Sequence, residues 1–557
     1  MVAFATLLFS IGFVTAFAGT PAGYSEYIVP FDEDVFAYVT DPVVSVAIGP
    51  NDTTFSLISA TAWSDTVTIY YDHWENGYNY DPNNPDATAD EKYVINKSQT
   101  LNFQSLAIPR PRTLADGNTY RGNVASGTSP TADCAAQPTP AAPLIHVTLN
   151  YCYDGRDRII SVGAATTLTR GGYVNSVGKV AAIGEEVYPL APQLVKYVLP
   201  FGDDPTRVDY ERVAALIQAT EDNTTIQIDF NADGVFDSFN TEDGYRTARV
   251  DPLDSTVLTL QKGQTYILDT DSNGVAGAGL PRGAVILGSK TLQVEYFYGE
   301  IDSSYNTRAV SAFPRGFWGT EYYASADGGT GGTDVLLYNP NATDITISWQ
   351  TATGSGNFTL SANATEFFSD AANANIFLPD GSGAYLKGTG PFWGTSDIDQ
   401  NGANFDWGYS LVPSYLLSDD QVVAWAPGNA PALACNAANG RGNGLFVTPA
   451  YDNTTFFIDA NGDGTPDTNP SIEVLRGATA VTATGSGYRA NRLESLYITG
   501  SNSGTLAGSL CDLTGARIYA TGPFAMAYGE NPNKTTAGAG LDLGYTVLPS
   551  PSNWMDL

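Results

Sequence analysis

Two stretches of this chain place oxygen-bearing side chains at the spacing of a cation loop. In DNTTIQIDFNADGVFD, Asp222 to Asp237, the side chains of Asp229, Asn231, Asp233 and Asp237 take positions 1, 3, 5 and 9, with Gly234 at position 6. In DNTTFFIDANGDGTPD, Asp452 to Asp467, the same places are held by Asp459, Asn461, Asp463, Asp467 and Gly464. Calcium takes about six to eight oxygens in a flexible cage, and this spacing supplies roughly half of them from side chains. Backbone carbonyls, waters or a later acid such as Glu242 would supply the rest. An EF-hand would carry a bidentate Glu at position 12, where these loops have Asn240 and Pro470, and the flanks here read as strands. The competing reading is a bend: Asp-Gly and Asn-Gly favour two-residue type I′ hairpins, which would serve Asp233-Gly234, Asp463-Gly464 and Asn76-Gly77 equally. A looser copy, DTVTIYYDHWENGYNYD from Asp65 to Asp81, has Trp74 where the others have Asn231 and Asn461, and reads as a turn. The other two read as calcium sites.

Other reactive chemistry is sparse. The chain has two histidines, His73 and His146. His73 aligns with the core positions Phe230 and Ala460 and reads as a partly packed strand residue; His146 sits in the alternating stretch PLIHVTLNY. There is no GxSxG elbow, HExxH, CxxC or phosphate-binding glycine loop. Glycoside cleavage needs only two carboxylates at a set separation. Asp72, Glu75, Glu295 and Glu300 lie near aromatics, but no pair stands out from solvated strand or turn acids. Trp63, Trp74, Trp318, Trp393 and Trp407 could stack on sugar rings, although alternating aromatics usually pack a core and Trp318 and Trp393 sit beside Gly at unit edges. An enzymatic role stays open, and a binding or structural one is favoured.

The elements that must hold these residues come in repeats. The offset of 230 that relates the two acidic phrases also relates Tyr298-Gly299-Glu300 to Tyr528-Gly529-Glu530. TGPF at Thr389 returns at Thr521, DWGYSLVP from Asp406 returns as DLGYTVLP from Asp542, and Ile95–Leu101 echoes LQKGQTY at Leu260–Tyr266. Within units the apolar period is two: Ile226, Ile228 and Phe230 alternate with Thr225, Gln227 and Asp229. TVLTLQKGQTYIL reads as two strands across a Lys262-Gly263 turn, and ERVAALIQA at Glu211, the best helical pattern, as a lead into the next strand. The expected fold is all-β, a series of tandem β-sandwich-like modules. The expected divisions are 1–18 signal peptide, 19–189, 190–314, 315–413 and 414–549 β modules, and 550–557 a tail or the start of a further segment.

Bulk properties narrow the setting. A chain of 557 residues with 43% hydrophobic residues can build several packed cores. A net charge of −33 repels nucleic acid and anionic lipid and suits divalent cations or a cationic partner. No segment reads as a membrane span. The apolar start ending at Ala16-Phe17-Ala18 reads as a signal peptide cleaved after Ala18, although no basic residue precedes it. The four cysteines then read as two local disulfides, Cys134 with Cys152 and Cys435 with Cys511. Several sequons occur, including Asn96, Asn223, Asn341, Asn357, Asn363, Asn453 and Asn533.

The phrases ATEDNTT from Ala219, LQKGQTY from Leu260, DLTGARI from Asp512 and FPRGFWGTEYY from Phe313 resemble the N-terminal domain family named after the IgG Fc-binding mucus protein. The resemblance spans roughly residues 190–550 in fragments; the unit 19–189 departs most. It implies an extracellular β-rich module with adhesive or matrix roles. The acidic loops resemble the short calcium loops of thrombospondin type 3 repeats and dockerins. The expected function is a secreted or cell-surface structural and adhesive protein, stabilised by calcium. Its partner would be an extracellular glycan, a matrix component or a cell-surface protein. The alternative is a carbohydrate-binding or carbohydrate-cleaving module.

Overall fold

The structure, a computed structural model, describes residues 23–30, 35, 53–105, 108–109, 146–151, 155–174, 182–191, 194–204, 210–237, 255–268, 280–300, 307–327, 333–368, 378–398, 407–428, 442–469, 471–500, 512–531, 534 and 543–548. All four cysteines and the segments 1–18 and 550–557 lie outside the described residues.

The fold is all-β. Among the described residues the strands make seven sheets, and one strand order recurs along the chain. The unit with the first acidic loop shows the plan. One sheet runs Lys196–Val198, Val285–Gly288, Thr224–Asp229, Leu258–Leu260; the other runs Thr265–Leu268, Arg212–Ala219, Leu292–Gly299, Thr307–Ser311. The preceding unit repeats it with Ser25–Ile28, Arg158–Val162, Val67–Asp72, Glu91–Ile95 and Thr100–Ser105, Thr53–Ala62, Thr166–Val174, Ala182–Val187. It adds His146–Tyr151 in parallel beside Thr100–Ser105. The third unit repeats it with Glu321–Ala324, Ala384–Gly388, Ile345–Thr351, Ser355–Leu360 and Thr365–Phe368, Thr333–Tyr338, Trp393–Ile398, Trp407–Ser410. In the last unit a single strand of 14 residues, Arg517–Glu530, passes from one layer to the other and joins both into one nine-stranded sheet.

Each pair of sheets forms a sandwich because the alternation points one face of both inward. In the first unit Tyr27, Ile69 and Ile159 from one sheet meet Ile58, Phe103 and Leu168 from the other in one core. The repeated phrases now have jobs. Asp65, Asp222, Asp344 and Asp452 each accept, at 2.9–3.2 Å, the amide of a residue in the turn that carries the chain to the other layer: Lys97, Lys262, Ala362 and Arg492. Thr389 and Thr521 of the TGPF phrases each accept a strand amide, from Thr346 and Thr455. The stretch TVLTLQKGQTYIL does hold two strands, but they lie in opposite sheets, so the Lys262-Gly263 turn crosses the sandwich. ERVAALIQA is the strand Arg212–Ala219, buried on both faces, which is why its apolar pattern resembled a helix.

The series of units closes on itself. The last strands of the four sandwiches, Ala182–Val187, Thr307–Ser311, Trp407–Ser410 and Tyr545–Val547, pack around one centre, with the fourth against the first. Glu186, Ser311, Ser410 and Thr546 hold equivalent places, paired in register with Thr169, Glu295, Thr395 and Ala527. Ser311 Oγ donates to the carbonyl of Glu186 at 3.0 Å, Ser410 Oγ to that of Ser311 at 3.0 Å, and Thr546 Oγ1 to that of Ser410 at 2.5 Å. Small residues let the strands approach. A Cβ on Gly544 would stand 1.9 Å from the Trp407 ring, one on Gly408 2.5 Å from the Tyr298 hydroxyl, and one on Gly184 2.9 Å from Leu543. The space left at the centre, about 10 Å³, would hold at most a single water.

Candidate metal centres

The two acidic loops fold alike. Asp237 N–H donates to Ile228 O at 2.8 Å and Asp467 N–H to Ile458 O at 2.6 Å, closing each loop. Asp229 Oδ2 accepts Gly234 N–H at 2.8 Å, and Asp459 Oδ2 accepts Gly464 N–H at 2.9 Å. Asn231 and Asn461 accept the amides of Asp233 and Asp463; Asp233 and Asp463 accept those of Val235 and Thr465. Asp237 and Asp467 reach back to the amides of Phe230 and Ala460. Gly234 and Gly464 have φ of 89° and 86°, the left-handed region that a residue with a Cβ resists. These are not two-residue hairpins: Thr224–Asp229 pairs with Leu258–Leu260 and Val285–Gly288, Thr454–Asp459 with Tyr488–Ala490 and Arg517–Glu530. Asn76-Gly77 is no hairpin either, since Asn76 ends a 3-10 turn, Trp74–Asn76.

The loops differ at their first aspartate. Asp229 Oδ1 accepts a further amide, from Asp233 at 3.1 Å. Asp459 is 2% exposed and its Oδ1 has no hydrogen-bond partner. Burial, with Asp463 and Asp467 close by, pushes the Asp459 carboxyl upward; burial and Asp463 do the same to Asp467. A buried carboxylate oxygen without a donor is costly, and a cation would relieve it. The three carboxylates of each loop do not converge within 4.8 Å, whereas those of another group do. Glu242 and Asn240 lie outside the described residues, as does Pro470.

That other group is in the copy read from sequence as a plain turn. His73, Glu75 and Asp157 bring one ligand atom each within 4.8 Å of one another. His73 lies just beyond the strand Val67–Asp72, not in it. Asp72 accepts the amides of Asn79 and Tyr80 at 3.0 and 3.3 Å, as Asp229 does in its loop, and Asp90 takes the part of Asp237 by accepting His73 N–H at 2.7 Å. Trp74 is fully buried beneath the Arg156 guanidinium, 4.0 Å from its ring, so no oxygen can stand there. Asp157 is fully buried; its Oδ1 accepts Trp74 N–H at 3.0 Å and its Oδ2 lies 3.1 Å from His73 Nδ1. His73 Nε2 faces Glu91 Oε1 at 3.4 Å. Burial of the ring opposes its charge, but the Asp157 carboxylate outweighs that and holds the pKa at about 11.

No model of a known protein family, no curated protein and no solved structure matches this chain. Of the carboxylates considered for glycoside cleavage, Glu75 joins the histidine group. Asp72 is spent on backbone amides, and Glu295 is 3% exposed beside an enclosed space of about 10 Å³, where no sugar could reach it. Trp318 and Trp393 stack at 5.7 Å inside a core shared by the second and third sandwiches. Asp157 and Glu91 were missed because they lie 84 and 18 residues from His73; the local signal was His73-Trp74-Glu75 itself.

The loops meet the neighbouring sandwiches. A Cβ on Gly462 would stand 2.7 Å from Ser98 Cβ of the first unit. Tyr78, beyond the histidine loop, lies under Lys262 Nζ, 4.6 Å from its ring centre, and against Gly263 of the second unit. Arg492 hydrogen bonds Gln350 between the fourth and third units. Cations bound in the Asp459 loop or beside His73 would therefore act where one sandwich touches the next.

Proposed function

We propose that the protein is a secreted or cell-surface structural and adhesive scaffold, with calcium in the loops Asp229–Asp237 and Asp459–Asp467. The observation that carries the calcium part is the buried, unpartnered Asp459 Oδ1 in a loop whose other oxygens surround the same turn. On binding, calcium draws in Asp463 and Asp467 and offsets their repulsion. Closure into a ring supports the scaffold role, because a rigid body loses little entropy when it docks. The acidic composition and the resemblance to the mucus-protein family support a setting outside the cell. The test is a thermal melt of the full chain with excess calcium and then with chelator, followed by adhesion assays on cells, glycans and matrix in calcium. An upward shift and saturable adhesion are expected; no shift removes the calcium, and no adhesion removes the adhesive role.

One observation favours a carbohydrate partner among the alternatives. Phe457 and Tyr519 stack in parallel at 5.1 Å on the outer sheet of the fourth sandwich, both half-buried, with Arg517 over Tyr519 at 4.8 Å and paired to Asp420. Apolar ring faces beside a fixed charged pair suit a sugar's C–H face and hydroxyls. Loss of glycan binding in Tyr519→Ala, with an unchanged melt, is the expected result.

A further inference from the structure

We propose that His73, Glu75 and Asp157 form a site for a first-row divalent transition metal, chemically distinct from the calcium loops. A nitrogen ligand selects against calcium, which takes oxygen, and suits zinc or a later first-row ion, with cobalt as its spectroscopic stand-in. The spacing fits: two ligands about 2.1 Å from a metal stand roughly 3.0–3.4 Å apart at octahedral or tetrahedral angles, and His73 Nδ1 lies 3.1 Å from Asp157 Oδ2. The ring is already oriented for it. With Nδ1 on the metal, the Nε2 proton points at Glu91 Oε1, 3.4 Å away, the carboxylate partner that metal-bound imidazoles commonly have. Asp157 is fixed through its other oxygen by Trp74 N–H, and Trp74 is fixed under Arg156.

Charge points the same way. The single imidazole faces Asp157, Glu91 and Glu75. Arg156 stacks on the Trp74 ring, and Arg158 is engaged with Glu26, at 2.6 Å, and with Asp72. A dication replacing the imidazolium proton on Nδ1, which passes to water, raises the local charge by one and balances these acids better. The site also sits at a seam. Tyr78 donates to the carbonyl of Arg156 at 2.7 Å, and both side chains contact Gly263 of the next sandwich. The bound metal thereby stiffens the junction between the first and second units.

The experiment uses the full chain, stripped with chelator and then held in excess calcium so that the acidic loops are saturated. Cobalt(II) is titrated in and its visible absorption followed, then zinc is added to compete. One equivalent of cobalt per chain, displaced by zinc, is expected. Glu75→Gln, in a half-buried side chain, and Glu91→Gln are each expected to weaken binding about 10–100-fold, with the calcium-dependent melt unchanged. His73→Gln is expected to abolish the cobalt spectrum. The proposal is overturned if wild type gives no saturable spectrum, or if Glu75→Gln and Glu91→Gln both bind as wild type does. A protein in which zinc leaves the melt unchanged while His73→Gln lowers it equally with and without zinc has a plain ion-pair latch there, which also overturns the proposal.

Discussion

Both the rim and the centre of the ring bury acids, and they solve the problem differently. At the rim, Asp459 closes the strand Thr454–Asp459 and Asp157 precedes Arg158–Val162, each buried beside further carboxylates in a loop. Towards the centre, Glu185, Glu186 and Glu295 are 1–5% exposed, and the space of about 10 Å³ that Glu186 lines admits no hydrated ion. Burial pushes Glu186 well above the usual carboxylate range, and burial with the neighbouring Glu185 does the same to Glu295. Burial thus favours the protonated form of Glu186 and Glu295, whereas at the rim Asp157 faces the His73 imidazole. The lesson is that equally buried acids behave according to the groups set beside them: backbone amides and an imidazole at the rim, desolvation and a second carboxyl at Glu295.

The largest effect expected concerns the packing that closes the centre. Trp407→Ala removes the ring that fills the space over Gly544 and Gly529 and should cost about 3–5 kcal/mol in denaturant unfolding. The loss should be equal with calcium or chelator; a calcium-dependent loss would break the separation between centre and rim.

Next comes calcium itself. At a hundredfold excess over Kd it should add about 2.7 kcal/mol per site. Asp463→Ala and Asp233→Ala should each lower the melting temperature much more with calcium than in chelator, where only the turn bond to Thr465 or Val235 is lost. Equal loss in chelator would return that loop to backbone geometry.

A smaller effect should come from Gly462→Ala. Its φ of 70° and the contact with Ser98 oppose a Cβ, so a loss of about 1–2 kcal/mol is expected by thermal melt. Ala232 holds the equivalent place at φ 58°, and Ala232→Gly should change stability little.

The smallest expected effect is the pH slope. Raised carboxyls such as Glu186 favour the fold fully below the unfolded value near 4.5, and that contribution is lost as pH rises towards the folded value. His73, raised to about 11, has the same sign above its unfolded value of about 6.5. In chelator the melt should therefore fall from about pH 5 to pH 8. Glu186→Gln should flatten that slope and leave the calcium response intact, and a slope unchanged by Glu186→Gln would place its origin elsewhere.

Much of the fold was legible in the sequence because its signals are local. Alternation in TTIQID predicts a one-sided strand, and Thr224–Asp229 is one. Asp222 and Asp452 precede strands in two copies of a phrase, and both clasp a crossing turn. The acidic loops were legible as loops because Asp-x-Asn-x-Asp-Gly needs only neighbours within nine positions. That they are not two-residue hairpins was not legible, since it turns on which strands pair. The copy at His73 was read as a bare turn for the same reason. Its acids Asp157 and Glu91 arrive on other strands, and Trp74 is inward because Arg156 covers it.

The sequence by itself determined the all-β character, the recurrence of one unit and the loops in which acids gather, because backbone sterics, alternation and short turns act over a few residues. Only the tertiary structure decided that the series of sandwiches closes into a ring. Closure depends on Glu186, Ser311, Ser410 and Thr546, residues more than a hundred positions apart in most pairings, meeting at one centre. It also decided which acids face water and which do not. Burial is a property of the assembled layers, and no stretch of sequence carries it alone.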